Sequence, residues 1–83
     1  MDDLQVMIID LVTALENDDD TYISSANAFW DMVLDIQSKI PKENNEAYNH
    51  VCHIIYELSF YTEQEKIIKE LKEIYRNVYG KNI

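Results

Sequence analysis

The first 38 residues contain no lysine and no arginine, and the whole chain of 83 residues has one glycine, one proline and one cysteine. Each scarcity excludes something. A single Gly80 and a single Pro41 leave almost no turn chemistry for β-hairpins, and one thiol, Cys52, rules out an internal disulfide framework and fits a reducing compartment. No apolar run approaches the roughly 20 residues of a membrane span, because the run from Val6 is interrupted at Asp10. The amino end, Met1-Asp2-Asp3, lacks the basic region of a secretory signal, so a cytoplasmic location is expected.

What is present is acid. Asp and Glu number 16 against 7 Lys and Arg, a net charge of -9. All of that excess falls in residues 1–38, since the remaining residues balance. Such a surface repels nucleic acid and anionic lipid and attracts a cationic protein over a Debye length of roughly 8 Å at physiological salt. The composition, with 47% hydrophobic and 28% charged residues, is that of a folded chain. At this length one domain of residues 1–83 is expected, with little room for an enclosed active site.

Apolar residues recur at three- and four-residue spacing throughout, which predicts four helices. The first, about Asp2 to Glu16, aligns Leu4, Ile8, Leu11 and Leu15, with Asp2 or Asp3 as cap. The second begins between Asp20 and Ser25, carries Tyr22, Ala26, Phe29, Val33, Ile36 and Ile40 inward, and is stopped by Pro41. Asn44 or Asn45 caps the third, whose inner face is Ala47, Val51, Ile54, Ile55 and Leu58. Thr62-Glu63-Gln64-Glu65 has the spacing of a capping box for the fourth. That helix carries Ile67, Ile68, Leu71, Ile74, Tyr75 and Val78 inward, presents Glu65–Lys69 and Lys66–Glu70 pairs outward, and ends at Gly80. Short connections favour antiparallel neighbours, so the expected fold is an all-α, single-domain antiparallel four-helix bundle.

Helical spacing places Ser24, Asn27, Asp31, Asp35 and Ser38 on the outer face of the second helix. Asp31 and Asp35 are a like-charge pair that costs a few tenths of a kcal/mol in an isolated helix, and a partner's Lys or Arg reverses the sign. A charge run is usually a solvated face; the absence of any cation nearby is what favours binding here. Beside this face lie Ile23, Trp30 and Leu34. Aromatic and aliphatic anchors rimmed by charge have the composition of an interface hot spot, although a lone Trp on an amphipathic helix is more often core. Val6, Ile9 and Thr13 fall outside the main stripe of the first helix, and Tyr56 and Phe60 offer a second contact area. The candidate partner-binding set is Asp18, Asp19, Asp20, Asn27, Trp30, Asp31, Leu34 and Asp35.

On the third helix Glu46, His50, His53 and Glu57 share an arc whose spacing permits metal ligation. A closed zinc site needs four tetrahedral ligands and a di-metal site needs facing helices, so the arc reads as a polar face with His53 near Glu57, and no metal or other cofactor is expected. No phosphate loop, zinc-protease helix or nucleophile elbow is present, and Cys52 and His53, as helical neighbours, point about 100° apart. An enzyme is not expected. Direct nucleic-acid binding lacks a basic stripe.

A short acidic four-helix pattern with a Leu-rich first helix, then Ile23-Ser24-Ser25-Ala26-Asn27-Ala28-Phe29-Trp30, then Glu57-Leu58-Ser59-Phe60-Tyr61 closing the third helix, resembles the colicin D type immunity proteins and the related immunity proteins of contact-dependent growth inhibition. The resemblance covers most of the chain and rests on pattern, without a diagnostic motif. It implies a bacterial immunity protein that binds a basic nuclease toxin, in that family a tRNA-cleaving ribonuclease, and covers the site where RNA phosphates lie, with Asp31 and Asp35 standing in for phosphates and Trp30 as an apolar anchor. Two alternatives remain open: a phage-encoded nucleic-acid mimic acting on a restriction or CRISPR nuclease, and a homodimeric adaptor bundle that pairs through Val6, Ile9, Tyr56 and Phe60.

Overall fold

Four helices, α1 (Asp3–Glu16), α2 (Ala26–Lys39), α3 (Asn45–Glu57) and α4 (Gln64–Tyr79), make up the computed structural model, which describes residues 1–18 and 22–83. No strand occurs among the described residues. Every helix packs on its neighbours in the chain, and α4 closes the ring against α1, while the diagonal pairs stay apart. The result is an antiparallel four-helix bundle of 32 × 27 × 19 Å.

The core lies where the four apolar stripes meet. Ile8, Leu11 and Val12 of α1, Phe29, Val33 and Ile36 of α2, Val51 and Ile54 of α3, and Ile67, Leu71 and Ile74 of α4 are fully buried, each side chain of this size contributing about 1.5–3 kcal/mol of transfer free energy. Phe29 is the largest of them.

Helix ends follow local chemistry. The Asp2 carboxylate accepts from the Gln5 N–H at 2.8 Å, the Ser25 hydroxyl from Ala28 N–H at 3.1 Å and the Asn44 side chain from Ala47 N–H at 3.1 Å, each satisfying a donor the helix itself cannot. Pro41 follows the end of α2, and Gly80 closes α4 in the left-handed conformation at φ 72°, where a β-carbon is strained.

Three expectations fail here. The Ser25 cap delays α2 until Ala26, so Tyr22 and Ile23 precede the helix and its periodicity does not govern them: Ile23 is buried and Tyr22 is 37% exposed, the reverse of the predicted sides. The Thr62–Glu65 capping box does not form. Glu63 occupies the cap position without a side-chain cap bond, because its carboxylate accepts from the Ser59 N–H at 3.0 Å and pairs with Lys66 at 3.1 Å. That pairing and the contact of Glu70 with His50 replace the expected Lys66–Glu70 bridge.

The chain ends are tied together through Asp2, which also accepts from the Tyr79 hydroxyl at 2.6 Å. This bond, then the Gln5 N–H, holds the Asp2 carboxyl below its ordinary pKa of 3.8. Glu63 and Glu73 are lowered from 4.5, chiefly by hydrogen bonds from Lys66 and Arg76. A carboxyl that titrates lower in the folded chain contributes stability that is complete above its ordinary pKa and vanishes as pH falls through the lowered one. Thermal melts are therefore expected to hold steady near neutrality and decline below about pH 4.5. Asp2→Asn should remove part of that acid limb; an unchanged limb would show that the Tyr79 bond does not persist in solution.

Candidate interaction surface

Adjacency of α1 and α2 gathers the cation-free part of the sequence on one side of the bundle. On α1 the exposed stripe is Asp3, Val6, Asp10 and Thr13, continued by the cap residue Asn17; on α2 it is Asn27, Asp31, Leu34, Asp35 and Ser38. Asp10 lies close enough to Tyr22 to act on it: partial burial first, and the negative charge of Asp10 second, push the Tyr22 hydroxyl above its ordinary pKa.

The acids are not equivalent. Lys72 of α4 reaches Glu16 at 3.2 Å, so the flank of α1 toward α4 is partly neutralised. Asp35 is bridged by Lys39 at 2.9 Å, and its backbone carbonyl accepts from the Ser38 hydroxyl at 2.7 Å. Exposed pairs of this kind contribute about 0–1 kcal/mol, yet this one partly neutralises Asp35. Asp3, Asp10 and Asp31 contact no cation among the described residues. Of the candidate set, then, Asp31 is the acid on α2 most open to a foreign cation. Asp18 follows α1 with φ 51°, while Asp19 and Asp20 lie outside the described residues.

Apolar members of the set divide as well. Leu34 is 49% exposed, as an anchor requires. Trp30 is half-buried, edge-on to Phe29 at 5.2 Å between centroids, so it serves the core and the surface together. Ile23, expected beside them, is in the core. On α1, Val6 is exposed while Ile9 is partly covered against the core.

The α3–α4 junction holds the histidines. His50 donates Nδ1–H to Glu70 at 2.6 Å, and His53 has Nδ1 3.5 Å from the same carboxylate and Nε2 3.4 Å from Glu57. His53 near Glu57 was legible from the spacing; Glu70, on another helix, was not. Among the described residues no group of three or more His, Cys, Asp or Glu side chains is arranged to hold a metal ion. These groups tie α3 to α4. Also among the described residues, no helix is long and apolar enough to cross a membrane.

The feature that pattern reading underrated is aromatic. Tyr56 and Tyr61 are 77% and 76% exposed, and Tyr61 stands edge-on to Phe60, whose ring packs 4.7 Å from that of Phe29. The run Phe60-Tyr61 was expected to close α3, but the helix ends at Glu57 and the run lies in the turn beyond its Leu58 cap.

Compared with known protein families, curated proteins and solved structures, the chain matches none. Its surface chemistry therefore carries the functional argument.

Proposed function

We propose that this chain is an immunity-type inhibitor that binds a basic nuclease toxin, a tRNA-cleaving ribonuclease being the expected class, and blocks its RNA-binding surface. The observation that carries the reading is the outer crest of α2, where Asp31 stands exposed without a cation one turn from Asp35, beside the exposed side chain of Leu34. A nuclease surface that accepts RNA phosphates presents Lys and Arg, and the same cations meet carboxylates here. Inhibition of this kind is steric and electrostatic. The acidic side steers encounter, and apolar contact at Leu34 and Trp30 slows dissociation.

The experiment is capture of the partner from the native host with this protein as bait, at low and high salt, followed by assay of the captured protein for RNA cleavage with and without the bait. A basic ribonuclease that the bait silences is the expected result. With that pair in hand, Asp31→Lys should lower the association rate about tenfold at low salt, with the difference shrinking as salt screens it. A partner without nuclease activity, a nuclease that cleaves equally well when bound, or unchanged association of Asp31→Lys would each sink the proposal. A bait recovered only with itself would assign the surface to a dimer.

A further inference from the structure

One contact sets the register of α2 against α3, and a second joins α2 to the turn that follows α3. The Gln37 side-chain amide lies 3.7 Å from the Cys52 sulfur, and the Phe29 ring 4.7 Å from that of Phe60. Trp30 and Leu34 precede Gln37 by two turns and by one, so they share its flank toward α3. Tyr56 follows Cys52 by one turn and shares its flank toward α2. In the antiparallel register this puts Leu34 level with Tyr56 and Asp31 on the crest beside Leu34, while Phe29, in ring contact with both Trp30 and Phe60, brings the turn after α3 to the Trp30 end of α2. One end of the α2–α3 face thus carries exposed Leu34, Tyr56 and Tyr61 around half-buried Trp30 and Phe60, rimmed by an acid without a cation.

We infer that this aromatic end of the α2–α3 face is an arginine-reading site, seating guanidinium groups of a basic protein partner against Tyr56 and Tyr61 with Asp31 as counter-charge. The inference rests on the proposed binding of a basic protein and deepens it, moving the centre of contact from the α1–α2 side to α2–α3. Charge selects a cationic occupant, since among the described residues Asp31 pairs with no cation and Lys66, the first cation after Tyr61 in the chain, is engaged by Glu63. The rings select arginine over lysine. A planar, weakly hydrated guanidinium stacks on an aromatic face while a carboxylate takes its N–H fork, whereas an ammonium keeps its water. Tyr61 is held in place from beneath, because it leans on Phe60 and Phe60 on the buried Phe29.

The test is an NMR titration of the isotope-labelled protein with an oligoarginine and an oligolysine of equal length at low salt. Two exposed cation–π contacts multiply to about tenfold tighter binding of oligoarginine. Shifts should centre on the Trp30 indole, Leu34, Tyr56 and Tyr61, and the preference should vanish in Tyr56→Ala/Tyr61→Ala, whose exposed side chains leave the fold intact by circular dichroism. Equal binding of the two peptides, or shifts centred on Asp3 and Asp10, would overturn the arginine site while leaving a basic partner standing. No binding of either peptide would overturn both readings. A dimer in sedimentation that Tyr56→Ala/Tyr61→Ala dissociates would give the patch to a second copy of the chain and overturn the inference as well.

Discussion

Phe29→Ala is expected to destabilise the protein by about 3–5 kcal/mol, the range for deleting a buried aromatic ring and leaving a cavity. Phe29 is fully buried and its ring touches both Trp30 and Phe60. Stability near 0.05–0.15 kcal/mol per residue gives a chain of this size roughly 4–12 kcal/mol in all. The substitution therefore removes about a quarter or more of it, and the thermal midpoint should fall by about 12 °C or more. Phe29→Leu, which keeps most of the volume, should cost less than half as much. A loss below about 1 kcal/mol for Phe29→Ala, measured by urea unfolding, would mean that the core collapses around the site and that the ring does not organise it. The same substitution should loosen the support of Phe60, and with it Tyr61, so core packing and the proposed arginine site are linked through one residue.

Tyr75→Phe is the second large effect. The Tyr75 hydroxyl accepts from the Gln5 side-chain amide at 2.9 Å, and both residues are buried, at 4% and 9% exposure. Deleting the hydroxyl leaves the Gln5 donor buried without a partner, which costs about 1–3 kcal/mol. Gln5→Leu alone should cost a similar amount by orphaning the hydroxyl. The double variant Gln5→Leu/Tyr75→Phe replaces both partners with apolar groups of similar size and should recover most of the loss. Additive losses in the double-mutant cycle would show that the two side chains act independently and that the α1–α4 contact is held by packing alone.

Both residues show where pattern reading succeeds and where it stops. The apolar spacing of α1 and α4 marks Leu4, Ile8, Leu71 and Tyr75 as inward, because burial follows a 3.6-residue period within one helix. Gln5 carries no such mark. A polar side chain is buried only when a partner satisfies it, and that partner lies 70 residues away. Glu70 is the same case: its sequence neighbours suggested Lys66, whereas two histidines of α3 surround it.

Helix ends divide on similar lines. Caps that use a bond to the residue three further on, at Asp2, Ser25 and Asn44, are local, and their donors and acceptors stand in the sequence side by side. Ser25 stands in a stretch with several capping residues, and its own sequence neighbours do not single it out. At Glu63 a bond back to Ser59, which closes the turn after α3, takes the place of the capping box.

By itself the sequence determined the helical class, the number of helices, their inward stripes and the concentration of negative charge before Lys39. Those properties depend on composition and short-range periodicity, which no tertiary contact alters. Tertiary structure decided which acids are neutralised and which stay open, leaving Asp31 without a cation while Lys39 reaches Asp35 and Lys72 reaches Glu16. It also decided that Leu34, Trp30 and Tyr56 share one end of the α2–α3 face, since the register between two helices is set by side chains that meet across them, far apart in the chain and adjacent only once it has folded.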